Sequence, residues 1–358
     1  MKKLIDRKQM KTSVKTLFIV LLLTMSACTS NNKYQNSIST NENSFPIKQA
    51  LHGNNVEFDS LLMKPSQLQI YDSLLITCNQ NTNKLFHIFD LKSKKKIGEC
   101  ISIGQGPTEM IMPWFIQNQD TVCIFDMGTS TISKYTINEF VTDPNPIPYQ
   151  QIKVKEQFFG EIGFLGENII GSLYNPEYPL YLFNKAGERI KGFGSYPISN
   201  TNYTNVEIID AYRSIITTNQ IDRVAICHFF TDLIDIYDYN GTLISRIHGP
   251  EHFFPNFKEY KDGNVITTRP VDKTYKDAFY SPVNVGDDFF VLYNGKNVGE
   301  KDYNLLAKQI FVFDWNGTPK KIFSLDQGVS RISVDKKNKK IYGISDEPEY
   351  HIVEYSYE

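Results

Sequence analysis

Gln309-Ile-Phe-Val-Phe-Asp-Trp-Asn-Gly-Thr318 is the stretch that decides how this chain folds. Apolar and aromatic residues alternate up to Phe313, an acid follows, and Asn316-Gly317 ends the run. Alternation with a period of two is strand patterning, and Asn-Gly supplies the positive φ angles that a tight hairpin needs. The phrase returns as Lys84-Leu-Phe-His-Ile-Phe-Asp90, Tyr181-Leu-Phe-Asn-Lys-Ala-Gly187 and Ile234-Asp-Ile-Tyr-Asp-Tyr-Asn-Gly241. Weaker copies are Thr131-Ile-Ser-Lys-Tyr-Thr136 and His351-Ile-Val-Glu-Tyr-Ser-Tyr357.

With Phe89, Tyr135, Phe183, Tyr237, Phe313 and Tyr355 as equivalent anchors, the intervals are 46, 48, 54, 76 and 42 residues. The longest contains an extra stretch near 251–275, rich in Phe, Lys, Pro and Asp. Without it the repeat is roughly 45–55 residues, the size of a four-stranded propeller blade. Short strands such as Leu74–Cys78, Thr121–Phe125, Val224–Cys227 and Phe289–Leu292 precede most anchors. No amphipathic helix of ten or more residues lies between them, which argues against an α/β fold. Six anchors predict an all-β, six-bladed β-propeller. Only three strands fit after Gly328, so the N-terminal segment Phe45–Leu62 is expected to join the last blade and close the ring.

Composition agrees. With 41% apolar and 22% charged residues the chain is not a disordered one, and 24 Phe and 21 Tyr favour strands. A formal charge of −2 lacks the basic footprint of a nucleic-acid binder.

The N-terminus reads as an address. Lys2, Lys3, Arg7, Lys8, Lys11 and Lys15 precede the apolar run Leu17–Leu23, then Met25-Ser26-Ala27-Cys28. Seven apolar residues span about 10 Å as a helix, too short for a bilayer, so 1–27 is expected to be a secretory signal. Met25–Cys28 resembles a bacterial lipobox, which implies lipidation of Cys28 and a membrane partner through that anchor. The leader holds six basic residues and one acid, so processing would shift the formal charge from −2 to −7. Residues 28–45, small and polar, read as a flexible tether, and 46–358 as the propeller. The expected location is the cell envelope, at the outer membrane and facing the periplasm. Thr29-Ser-Asn-Asn-Lys33 lacks the acidic surface-export signal of some lipoproteins.

Gly104-Gln-Gly-Pro-Thr-Glu-Met110, after the Phe89-Asp90 hairpin, resembles the Gly-x-Gly-Pro-x-Glu blade junction of TolB-like six-bladed propeller lipoproteins of Bacteroidetes. His248-Gly-Pro-Glu-His-Phe253 is similar to a degenerate copy. The resemblance spans roughly 46–358 and implies architecture and envelope location. TolB's own Trp-Ser-Pro-Asp-Gly-like turns are missing, so its partners are not carried over.

Gly104-x-Gly106 has neither a third glycine nor a following Lys-Ser/Thr, so a blade-junction turn is expected rather than a phosphate loop. Cys78, Cys100, Cys123 and Cys227 sit in strand-like runs and are expected to be buried thiols. Cys78 and Cys100 would lie two strands apart, too far for a disulfide. No cofactor or metal is expected. The histidines are dispersed, and Pro250 between His248 and His252 argues against a metal-binding helix. His87 is expected at a surface or edge. The lysine runs 92–96 and 336–340 fall at hairpin turns. Ligands of propellers bind at the channel mouth, where the alignment puts Glu109, Trp114, Glu161, Arg213, Tyr280 and Arg331. Aromatic faces with acids and arginines suit a glycan or a peptide. The expected function is a binding or scaffold module for a glycan, peptide or envelope protein. The alternative is a propeller-fold enzyme, such as a glycan lyase, glycosidase or lactonase.

Overall fold

The computed structural model describes residues 33–358 except 80, 81, 119, 272–274 and 302, and excludes the side chains of 159–161. The leader and Cys28 therefore lie outside the described residues, as does the Glu161 side chain. The chain divides into two units. In the minor one the Gln35 N–H donates to the Ile198 carbonyl (3.0 Å). The major unit, 36–197 and 202–358, is a ring of six antiparallel sheets.

Strands a to d run outward in each blade. Blade 1 is Pro65–Tyr71, Leu74–Asn79, Lys84–Asp90 and Lys95–Ile103; blade 2 is Pro113–Ile116, Val122–Asp126, Thr131–Tyr135 and Gln150–Lys153. Blade 3 is Phe158–Leu165, Asn168–Leu173, Leu180–Phe183 and Arg189–Phe193; blade 4 is Ser214–Thr218, Arg223–His228, Leu233–Asp238 and Leu243–His248. Blade 5 is Phe279–Val285, Asp288–Tyr293, Ala307–Asp314 and Pro319–Val329. Blade 6 takes strands a to c from Arg331–Asp335, Lys340–Ser345 and His351–Ser356, and its fourth from Asn54–Val56. The a strands of neighbouring blades pack on one another around the axis.

All six anchors lie on strand c, each no more than 2% exposed. That strand is covered by two neighbours in its own sheet and by the adjoining blades on its faces. Its alternating side chains therefore fill two inter-blade cores, as Ile234 and Ile236 do on one side of blade 4 and Tyr237 on the other. Cys78 pairs in register with Phe86, and Phe86 with Cys100, so two strand spacings separate the thiols; all four described cysteines are buried.

Val56 pairs with Ile352 and Asn54 with Glu354, closing the ring as the sequence suggests. The closing segment also does more. Ile47–Leu51 adds a parallel fifth strand to blade 5 along Lys321–Leu325, and Ile38–Ser39 adds one to blade 4 along Ile247–His248. Phe45 between them is 3% exposed, with its ring 5.1 Å from Phe311 and 5.3 Å from Phe313. Residues 36–45 are thus not the free tether that their composition suggests. Strand addition uses backbone groups, and one phenylalanine supplies the apolar anchor. This belt covers the outer edges of blades 4, 5 and 6, which would otherwise present unpaired backbone.

Two short helices interrupt the β pattern. Helix α1, Ile137–Thr142, is capped by Thr136 and buries Phe140 against Phe86 and Tyr135. Helix α2, Asn205–Ala211, starts at a Thr204/Glu207 capping box. No described helix is long and apolar enough to cross a membrane. His87, expected at an edge, is only 5% exposed, because strand c is interior and Glu99 meets its Nε2 at 3.9 Å.

Candidate functional site

The channel between the a strands is narrow. Its enclosed volume is about 90 Å³, lined among others by Gln67, Gln69, Thr217, Thr218, Ser333 and Arg331. Toward the a–b turns it is crossed by hydrogen bonds. Gln117 of blade 2 donates its Nε2 to the Asn284 carbonyl of blade 5 (2.7 Å) and accepts the Asn284 N–H at Oε1 (2.8 Å). Gln220 of blade 4 donates to the Gln117 carbonyl (2.6 Å). Three blades are tied across the axis by groups far apart in sequence.

The sequence-predicted residues do not form one cluster. Arg331 lines the channel, with Nη1 donating to the Ser330 carbonyl (2.9 Å). Trp114 is on the innermost strand of blade 2, but the channel wall there is Phe115, Ile116 and Gln117. Its indole Nε1 is buried, with no hydrogen-bond partner among the described residues. Glu109 is a correction. It pairs with Ser102 on the outermost strand of blade 1, away from the mouth. Its Oε2 accepts the Gly106 N–H (2.8 Å), and a Cβ on Gly104 would lie 1.9 Å from that oxygen. The Gly-x-Gly-Pro-x-Glu phrase is therefore a loop closed on itself by its own carboxylate. In the second copy Asp232 does this work, accepting the N–H groups of Glu251 and His252 (both 2.7 Å) and Phe253 (3.0 Å).

Arg213 and Tyr280 belong instead to a raised crown on blades 4 and 5. It is built from the described residues of the blade connections, 202–213, 249–271 and 275–278, and of the loop 294–301 and 303–306. Asp277, 4% exposed, accepts the Tyr303 hydroxyl, and Tyr280 stands beside the same carboxylate. Burial raises the Asp277 carboxyl above its ordinary range and drives Tyr280 far above the usual phenol value. The Tyr280 ring lies 5.4 Å from Phe229; Phe230 packs at 5.0 Å from Phe257 and 5.3 Å from Tyr275. The cluster joins a buried carboxyl to two phenols at the base of the crown.

Above this lies a two-stranded hairpin, Phe257–Asp262 and Val265–Pro270, paired only with itself among the described residues. Helix α2 fixes its base. Glu207 accepts the N–H groups of Thr204 and Glu259 (both 3.0 Å), and Asp210 receives Arg213 (2.5 Å) and the Thr268 hydroxyl. Burial works against the Glu207 charge, yet those N–H groups and Lys258 hold its pKa below the usual value. On the hairpin only Phe257 is buried; Tyr260, Val265 and Ile266 stand in solvent at 41%, 64% and 50% exposure. Sequence reasoning missed Asp277, Tyr303, Glu207 and Asp210, because their contacts join loops about 25–60 residues apart that carry no shared motif.

Below the crown, His228 is 1% exposed and its Nδ1 lies 3.3 Å from the Tyr212 carbonyl. Burial pushes its pKa down to about 4, opposed by Asp235 and assisted by Arg246. An unfolded histidine titrates near 6.5, so between about 6.5 and 4 only the unfolded chain takes the proton. This contribution to stability is complete above that window and falls as the pH drops through it, by up to about 3 kcal/mol. Thermal midpoints from pH 7.5 to 4 should decline less steeply in His228→Phe than in the parent. Parallel profiles would refute the assignment.

A family model described as TolB-like 6-blade propeller-like matches residues 41–337. No curated protein matches the chain. Among solved structures, a DUF4221-family member from Bacteroides vulgatus superposes with a TM-score of 0.54 at 8% identity, over 86% of this chain and 96% of that one. At such identity the likeness speaks for the fold alone. Raptor from Chaetomium thermophilum gives a TM-score of 0.48 at 10% identity over 86% of this chain, which spans only 29% of that protein. A candidate exported protein from Bacteroides fragilis gives 0.47 at 10% identity, over 86% and 98%.

Proposed function

We infer that this chain, which belongs to the TolB-like 6-blade propeller-like family, is a binding or scaffold module of the cell envelope that recognises a protein or peptide through its crown. On this reading residues 1–27 export the chain and a lipid on Cys28 holds it at the outer membrane, facing the periplasm. The observation that carries the reading is the contrast between channel and crown. A channel of about 90 Å³, tied across by Gln117, Asn284 and Gln220, is well below the roughly 300–1,000 Å³ of typical small-molecule pockets. The hairpin 257–270 meanwhile presents exposed apolar side chains on a base held by helix α2, and among the described residues neither of its strands pairs with another sheet. Edge addition of an extended segment uses such a surface: its backbone supplies affinity and its alternate side chains supply specificity.

A second reading, a propeller-fold enzyme, draws on the Asp277–Tyr280–Tyr303 cluster, where a carboxyl of raised pKa suits a general acid. Envelope extract passed over the parent, a chain with 257–270 replaced by a Gly-Ser turn, and Gln69→Ala/Arg331→Ala, which alters the channel lining, separates the cases. Loss of the same partner from the hairpin variant alone is expected, with thermal midpoints confirming folded protein. Loss from the Gln69/Arg331 variant alone would move recognition to the channel, and equal recovery from all three would sink the crown reading.

A further inference from the structure

The two lysine-rich turns, about 240 residues apart in sequence, meet in one groove at the seam where blade 6 closes onto blade 1. The groove has a volume of about 790 Å³, and Lys92, Lys94, Lys337 and Lys340 are among its walls. Both turns are fixed from within. Asp90 accepts the N–H groups of Lys92 (3.3 Å) and Ser93 (3.0 Å), and Asp335 accepts the N–H (3.0 Å) and Nδ2 (2.6 Å) of Asn338. Lys94 and Lys339 take positive φ angles of 58° and 52°, so each turn is a tight one.

The charge is largely uncommitted. Lys340 pairs with Glu354 (2.6 Å) and Lys96 with Glu99 (2.5 Å). Of the lysines in the groove's walls, Lys92, Lys94 and Lys337 form no ion pair with any described residue. Of the acids in the groove, Asp335 is engaged by its turn and Glu354 by Lys340; Asp72 is the exposed opposing charge. The chain as a whole carries a formal charge of −2, so this is a local inversion of sign.

We propose that this groove binds an acidic polysaccharide, its carboxylates or sulfates paired with the rim lysines and its hydroxyls meeting Ser73 and Asn338 within. Concavity and hydroxyl-bonding walls favour a polymer strand over a lipid surface, which is flat and would meet the lysines from one side only. The proposal is independent of the crown reading, because the groove lies between blades 6 and 1 and shares no residue with the crown.

The test uses polygalacturonate, with neutral dextran of the same length and anionic phospholipid vesicles as comparisons, at about 50 and 300 mM salt. Binding of polygalacturonate to the parent, absent with dextran and weakened by salt, is expected. Lys92→Glu/Lys94→Glu/Lys337→Glu should weaken it about tenfold or more, since three attractions become repulsions. Lys185→Glu/Lys191→Glu/Lys308→Glu changes the net charge equally and should move it less than about twofold. Asp72→Asn should tighten binding about twofold, a gain that a merely misfolded variant cannot show. Equal weakening by both triple variants would overturn the proposal. So would a parent that binds vesicles but not polygalacturonate, or that binds neither.

Discussion

A chain beginning at residue 57 should lose its cooperative unfolding transition, while one beginning at Pro46 should keep it with a lowered midpoint. The longer deletion removes Phe45, Leu51 and Val56, exposed by only 3%, 2% and 6% in the intact protein. At roughly 1.5–3 kcal/mol for each fully buried side chain, their loss amounts to roughly 5–9 kcal/mol. Domains are stable by only about 5–15 kcal/mol in total. It also opens the blade 6 sheet and strips the fifth strand from blades 4 and 5, so aggregation should accompany the loss. The shorter deletion forfeits mainly Phe45 and the pairing at Ile38–Ser39, which should cost about 3–5 kcal/mol. Calorimetry and far-ultraviolet dichroism against a chain starting at residue 33 measure both. A chain from residue 57 that melts within a few degrees of the reference would refute the closure.

The second large effect lies inside blade 4. Asp235 and Arg246 face each other across strands c and d in a bidentate pair, Nε to Oδ1 at 2.7 Å and Nη2 to Oδ2 at 2.8 Å. They are 0% and 4% exposed. Arg246→Met leaves an uncompensated carboxylate in the core and should destabilise the protein by about 3–5 kcal/mol. Asp235→Leu/Arg246→Met removes both charges and should recover most of that loss, because burying two ions offsets much of their attraction. Urea denaturation of the parent, the two single variants and the double one forms the cycle. Strict additivity of the single losses would show that the pair is not coupled.

The two predictions rest on features of different legibility. The blade count was readable because strand c is buried on both faces and its period-two aromatics end in turns such as Asn316-Gly317 that only a tight hairpin explains. The belt was not, since Ile38–Ser39 and Ile47–Leu51 join their sheets through backbone groups that any sequence carries. Closure was inferred only by counting strands after Gly328. At the candidate site, Arg213, Tyr280 and Arg331 come just before or at the start of a strands, as the repeat implied. Glu109 misled because its motif marks a loop that closes on itself at the outer edge of a sheet. The lysine turns read as ordinary solvated hairpins one at a time; only ring closure brings 92–94 and 337–340 to one groove.

The belt also sets a clock. The strand that completes blade 6 is made among the first sixty residues, and its partner Ile352–Glu354 almost last. At roughly 5–20 residues per second, synthesis leaves Asn54–Val56 waiting about 15–60 s for the strand it must meet. For most of that interval the nascent chain exposes Phe45, Leu51 and Val56, because their partners Phe311, Phe313, Leu325 and Ile352 are all made late. A closure between residues so distant in sequence also folds slowly once both are present. The lifetime of the open ring, rather than the stability of the closed one, is then the stage at which this protein most needs a chaperone.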